Sequence, residues 1–213
     1  MMIERCQYYD ATEKMLWTIA VEDENVVMTK GKNEKKAVPK EYIKNLDIFF
    51  GTHTWEEWKV FSVKETSGDK NSITLIGEGN ECILEELPME EQKVFEDLYH
   101  YFEAYFEKEI KSITLSFHSF DGGGPEYWLE IEEKGIFTWY SQRHYYNADH
   151  ENLCGAGYDV EFSLYPLRKG TATAILTGDS PICPEPVRKI TVEVKDDFTM
   201  EHQVETLDIR RQG

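Results

Sequence analysis

The fold follows from one stretch of sequence, Lys111-Ser-Ile-Thr-Leu-Ser-Phe-His-Ser-Phe-Asp-Gly-Gly-Gly-Pro-Glu-Tyr-Trp-Leu-Glu-Ile131. Apolar and polar residues alternate on both sides of its glycine run, which is the period of β-strands that bury one face. Glycine and proline between such runs are typical of a turn or loop. The stretch therefore predicts two half-buried strands joined by a glycine-rich loop.

Two more loops of this kind follow, Cys154-Gly-Ala-Gly157 and Thr177-Gly-Asp-Ser-Pro-Ile-Cys-Pro-Glu-Pro186. Further strand-like runs lie around them, at residues 136–140, 160–164, 171–176 and 187–194. No helical pattern interrupts these strands. We predict an all-β immunoglobulin-like sandwich, a fold that brings loops distant in sequence together at one end on a rigid frame.

The first half of the chain has a different pattern. Short runs rich in β-formers predict strands at residues 3–9, 15–21, 26–30, 59–64, 72–76 and 82–84, the first three as an antiparallel meander. Helix-period apolar residues follow Pro39, and a longer aromatic stripe extends from Pro88 to Lys108. This half is therefore predicted to be an α+β domain, an antiparallel sheet covered by two helices.

The change of period near Lys111 sets the predicted domain boundaries. We expect the α+β domain over residues 1–109 and the sandwich over residues 110–195. The tail, residues 196–213, could add an edge strand through Val204, Leu207 and Ile209.

Composition narrows the classes of partner. The 213 residues include 41 Asp plus Glu against 23 Lys plus Arg, a formal net charge of −18. Such a chain repels nucleic acid and anionic lipid, so we expect neither as a partner. No apolar run is long enough to cross a bilayer, and four scattered cysteines suit reduced thiols, so we expect a cytoplasmic protein.

One phrase, Phe162-Ser-Leu-Tyr-Pro-Leu-Arg-Lys-Gly-Thr-Ala-Thr-Ala-Ile175, together with the order of the three loops, resembles the chagasin-like immunoglobulin-type cysteine-peptidase inhibitors. The resemblance covers residues 111–194 and implies a sandwich whose three loops wedge into a peptidase cleft. Where that family has Asn-Pro-Thr-Thr-Gly-Tyr, this chain has Asp121-Gly-Gly-Gly-Pro-Glu-Tyr127, and the tryptophan of the family's last loop is absent. The resemblance therefore implies the sandwich more strongly than it implies inhibition.

The three loops supply the candidate contact residues. Glycines leave backbone amides open to close approach, proline limits the freedom lost on docking, and aromatic side chains anchor interfaces. An alternative is that the glycines only form turns. The predicted partner-binding residues are Asp121, Gly122, Gly123, Gly124, Tyr127, Gly155, Gly157, Tyr158 and Pro181.

A second constellation lies in Arg143-His-Tyr-Tyr-Asn-Ala-Asp-His-Glu-Asn-Leu-Cys154. His144, His150 and Cys154 are donor types that zinc favours, and a thiolate paired with His150 would be a nucleophile. The spacing matches no zinc module, and no strand-to-helix elbow surrounds the cysteine. We therefore expect no metal, no cofactor and no catalytic residue here.

Three functions remain open from the sequence. The leading hypothesis is a non-catalytic protein that binds another protein through the clustered loops, with peptidase inhibition as one version. The second is an acidic immunity or antitoxin protein that masks a basic partner by charge. The third is a small hydrolase or metal enzyme that uses His150 and Cys154.

Overall fold

A computed structural model describes residues 2–51, 54–89, 91–108, 110–146, 155–182 and 185–207. The chain divides into two compact units, Met1–Glu109 and Ile110–Gly213. The structure is mostly antiparallel β, with three helices among the residues described. Within those same ranges, no helix combines the length and apolar character needed to cross a bilayer.

The first unit contains a six-stranded sheet in which every neighbouring pair is antiparallel. The predicted meander is confirmed, because β1, β2 and β3 are successive neighbours. The fourth strand was not predicted, since its side chains are exposed or half-buried and carry no alternation. The strands are β1 Arg5–Asp10, β2 Met15–Glu22, β3 Asn25–Lys30, β4 Glu34–Val38, β5 Ser72–Gly77 and β6 Asn80–Leu84, in the order β4-β3-β2-β1-β5-β6.

Three helices accompany this sheet, α1 Glu41–Phe49, α2 Trp55–Phe61 and α3 Lys93–Glu107. The prediction of two helices is therefore wrong by one, and the first half of the strand predicted at residues 59–64 is the end of α2. A capping box starts α2: the Thr54 amide donates to Glu57 Oε2 at 2.6 Å, and the Glu57 amide donates back to Thr54 Oγ1 at 3.4 Å. The cap and buried Trp55 and Trp58 favour helix over the local strand pattern.

Aromatic packing joins the helices to one face of the sheet. The rings of Tyr101 and Tyr105 stack with centroids 4.2 Å apart, and Trp17 of β2 lies 6.2 Å from Phe102. The Tyr101 hydroxyl donates to the backbone oxygen of Tyr42 at 2.6 Å, which ties α3 to α1. The aromatic stripe of α3 is thus core, as its period predicted.

The described residues of the second unit form seven strands. They make a three-stranded sheet, β7-β10-β9, and a four-stranded sheet, β13-β12-β11-β8. The strand in the tail lies at the edge of the larger sheet, and no helix occurs in the described part of this unit. The strands are β7 Ile113–Phe120, β8 Glu126–Ile131, β9 Phe137–Tyr145, β10 Gly157–Pro166, β11 Gly170–Asp179, β12 Val187–Val194 and β13 Met200–Leu207.

A single cluster of buried side chains draws on both sheets of this unit. Phe162 and Leu164 of β10 belong to it together with Ala174 of β11 and Ile190 of β12, all of them essentially inaccessible to solvent. Each sheet therefore has one face in the core, as the two-residue period of its strands requires.

The carboxylate of Asp47 in α1 provides a test of the first unit. Asp47 accepts the Ile3 amide at 2.7 Å, and burial raises its pKa from 3.8 to about 6, with that hydrogen bond opposing the rise. The folded state therefore holds a proton that the unfolded chain has released between about pH 4 and pH 6. Folding stability is lost as the pH rises through this window.

We predict that Asp47→Asn, which keeps an acceptor oxygen and removes the ionisation, does not lose this stability as the pH rises. Relative to wild type, its free energy of unfolding should therefore increase by about 1 kcal/mol from pH 4 to pH 7, a value discounted because Asp47 is only half-buried. Urea unfolding at the two pH values measures this difference. Asp23→Asn, at an exposed turn position, is the control. A wild-type–variant difference that is the same at both pH values would contradict the assignment.

Candidate functional site

The described parts of the three predicted loops meet. The Asp121 amide, after β7, donates to the backbone oxygen of Ala156, just before β10, at 3.0 Å. The Ser180 hydroxyl, after β11, donates to the backbone oxygen of Gly123 at 2.6 Å. Loops separated by more than twenty residues are thus hydrogen-bonded to one another. We call residues 121–125, 155–157 and 180–182 the loop rim.

The first loop is a tight turn whose shape requires glycine. Gly122 and Gly123 have φ values of +85° and +148°, which residues other than glycine rarely adopt. The Gly124 amide donates to the Phe120 oxygen at 3.0 Å, and the buried Ser119 hydroxyl donates to the Pro125 oxygen at 2.7 Å. The turn is therefore closed by hydrogen bonds on both sides.

The third loop covers part of this turn. Ser180 is 5% exposed, and its hydroxyl also accepts the Ile182 amide at 3.1 Å, so one side chain connects two loops. The side chain of Ile182 lies over Gly123, where its Cδ1 is 2.6 Å from the position that a Cβ would take. Even so, Ile182 is 65% exposed. The rim thus presents an apolar side chain beside bare glycine backbone.

The two predicted tyrosines occupy different surroundings. Tyr127 is half-buried, with its ring 5.2 Å from that of Phe117 and its hydroxyl donating to the His118 oxygen at 3.2 Å. Tyr158 is only 4% exposed and belongs to the core, where the guanidinium of Arg143 lies 5.1 Å from its ring centre. Tyr158 therefore does not contribute to the exposed surface of the loop rim.

Gly157 makes room for a polar cluster that the sequence did not reveal. The ring of Tyr146 lies over Gly157 and stacks on His118 with the ring planes 3° apart. The Tyr146 hydroxyl donates to Asp159 at 2.5 Å and lies 3.0 Å from His118 Nδ1, and the bond to Asp159 raises the pKa of Tyr146. His118 and Asp159 are direct partners across β7 and β10, a register that the sequence alone does not give.

Of the three metal candidates, His144 lies within the described residues. The Nε2 atom of His144 lies 3.1 Å from a carboxylate oxygen of Glu161. His150 and Cys154 lie outside the described residues. Within the ranges described, no three His, Cys, Asp or Glu side chains form a group able to hold a metal ion.

Two cysteines fall within the described ranges, Cys6 and Cys82, and both are free and buried. Burial raises the pKa of each thiol, Cys6 most strongly. A thiol held protonated is a poor nucleophile and a poor metal ligand.

Comparison with protein-family models, curated proteins and solved structures returns no match for this chain. The resemblance to the chagasin-like family stays a prediction.

Two glycines of one turn provide a matched test of the rim's geometry. A Cβ at Gly124 would lie 2.4 Å from the backbone nitrogen of Phe120, whereas nothing lies within 4 Å of one at Gly122. Gly124→Ala must displace the backbone and should cost about 2 kcal/mol or more. Gly122→Ala should cost about 1 kcal/mol, since it meets only the strain of its positive φ.

Hydrogen exchange of the β7 and β10 amides in the full chain measures both effects. We expect faster exchange in Gly124→Ala than in Gly122→Ala, and both faster than wild type. If the order of the two variants were reversed, the proposed closure of the turn on Phe120 would be wrong.

Proposed function

We propose that this protein is a non-catalytic binding protein whose second unit, an immunoglobulin-like sandwich, holds another protein against its loop rim. One observation supports this most strongly: hydrogen bonds from Asp121 to Ala156 and from Ser180 to Gly123 join the three loops into one surface. The two-domain organisation, residues 1–109 and then the sandwich, belongs to the same proposal.

The hydrogen bonds between the loops favour binding because they hold the loops in one arrangement. Loops that must be immobilised on docking lose conformational entropy, and that loss subtracts from affinity. Here Ser119 and Ser180, both buried, hold the first and third loops through their hydroxyls. A partner would therefore meet a surface whose shape exists before contact.

The chemistry of the rim favours an apolar contact over a charged one. Ile182 and Pro181 are exposed, and the glycine backbone beside them admits close approach. Asp121 is the only ionisable residue among the rim positions described, in a chain whose net charge is −18. A cleft with an apolar subsite that accepts a branched aliphatic side chain fits this surface.

The resemblance to the chagasin-like inhibitors makes a cysteine peptidase the first partner to test. In that family the three loops enter the peptidase cleft, and here three loops in the same order are joined side by side. The first loop departs from the family's motif, so binding and inhibition are separate measurements. Association with a panel of papain-like peptidases is measured first, and residual peptidase activity second.

We predict that Ile182→Asp weakens partner binding by tenfold or more, because it replaces an apolar anchor with a charge that must be desolvated. The matched control is Val204→Asp, since Val204 is an apolar residue of β13 that is 48% exposed and outside the rim. Quantitative affinity capture and biolayer interferometry compare both with wild type. Equal loss in the two variants would remove the rim from the proposal.

The dependence of binding on salt concentration distinguishes this function from the alternative, an acidic protein that masks a basic partner. The net charge of −18 favours that alternative. Binding through the rim should change by less than about threefold between about 0.05 and 0.5 M salt, whereas an interface built on opposite charges should weaken steeply. The same interferometry, repeated across that range, measures the slope. A steep slope that Ile182→Asp leaves unchanged would favour the acidic antitoxin reading.

A further inference from the structure

A small cavity lies on the face of the first unit's sheet opposite the helices. Two cross-strand rows form its floor: Leu16, Tyr9 and Ser72 are partners across β2, β1 and β5, and Gln7 pairs with Thr74 in the next row. Residues of the segment before β5, Thr66 and Gly68, form a wall. The cavity has a volume of about 240 Å³, below the roughly 300 to 1,000 Å³ of pockets for drug-sized ligands.

Most of the polar side-chain groups around this cavity make no hydrogen bond to the described protein. Among the described residues, the hydroxyls of Tyr9, Thr66, Ser72 and Thr74 make no hydrogen bond, and Gln7 uses only its amide nitrogen, toward Thr18 at 3.4 Å. Ser72 is only 4% exposed. Hydroxyl groups without a protein partner are available to exchange hydrogen bonds with a ligand or with water.

Hydrogen bonds hold the wall of the cavity in place. One oxygen of Glu85 accepts both the amide of Ser67, at 2.6 Å, and its hydroxyl, at 2.8 Å. Asn71 accepts the Ala11 amide at 2.9 Å and donates to the Tyr8 hydroxyl at 3.2 Å. The segment between α2 and β5 is therefore anchored at both ends of the wall. The cavity is thus already formed in the absence of a ligand.

The lining is neutral in a protein where 30% of residues are charged. Lys70, two residues beyond Gly68, is paired with Glu86. Without an ionic group the cavity offers nothing to balance a phosphate or a carboxylate, whose desolvation would be unfavourable. The Tyr9 ring and Leu16 provide an apolar patch beside the hydroxyl groups.

We propose that this cavity binds a neutral polyhydroxylated ligand the size of a single sugar ring. The C–H face of such a ring packs on Tyr9 and Leu16, while its hydroxyls exchange hydrogen bonds with Ser72, Thr74 and the free oxygen of Gln7. Hydroxyl and amide side chains both donate and accept hydrogen bonds, as the hydroxyl groups of a sugar do.

The test is saturation-transfer NMR on the full chain with glucose, galactose, mannose and N-acetylglucosamine as neutral probes and glucuronate as the charged counterpart. We expect at least one neutral sugar to bind at millimolar concentration, and glucuronate to bind more weakly. Ser72→Ala and Thr74→Val should each weaken the binding about fivefold to tenfold. Neither hydroxyl bonds to the protein, so both variants should fold.

Thr29→Val is the matched control, because Thr29 of β3 lies in the same cross-strand row as Thr74 but outside the cavity. It should bind the sugar as wild type does. No saturation transfer from any neutral probe would overturn the proposal. Binding that Ser72→Ala and Thr74→Val leave unchanged, or glucuronate binding as tight as that of its neutral counterpart, would overturn it as well.

Discussion

The organisation of the second unit depends on one constraint: two sheets must bury one face each in the same core. Phe162 and Leu164 from the smaller sheet meet Ala174 and Ile190 from the larger one there. Because the strands are anchored by this core, the connections between them are held where the strands end. The hydrogen bonds from Asp121 and Ser180 can then join loops that are far apart in sequence. These hydrogen bonds make one continuous surface of the described loop residues.

The first unit solves the same burial problem with helices in place of a second sheet. Helix α3 covers one face through rings such as Tyr101 and Phe102. The opposite face carries the hydroxyl and amide side chains of the cavity, and the segment anchored by Glu85 lies beside it. The two units thus support independent proposals: an apolar contact in one and a neutral polar cavity in the other.

Local pattern predicted the elements whose periodicity was strong and misjudged those that depend on particular contacts. The alternation around the glycine run located β7 and β8, and the aromatic stripe located α3. The residues at 59–64 favour a strand locally, but residues 59–61 form the last turn of α2, which the cap at Thr54 and the burial of Trp58 stabilise. Pattern also placed Tyr158 in a contact loop, and only its burial between the sheets shows it to be core.

By itself the sequence determined the β-rich class, the change of period near Lys111 and the presence of three glycine-rich loops, because these depend on residue types and on spacing along the chain. Only the tertiary structure decided that Ser180 bonds to Gly123, that Tyr146 covers Gly157, and that Ser72 and Thr74 share a cavity. Each of these contacts joins residues from different strands or loops, and their proximity is set by strand register and by the burial of shared faces. Neither quantity is written in the local order of residues.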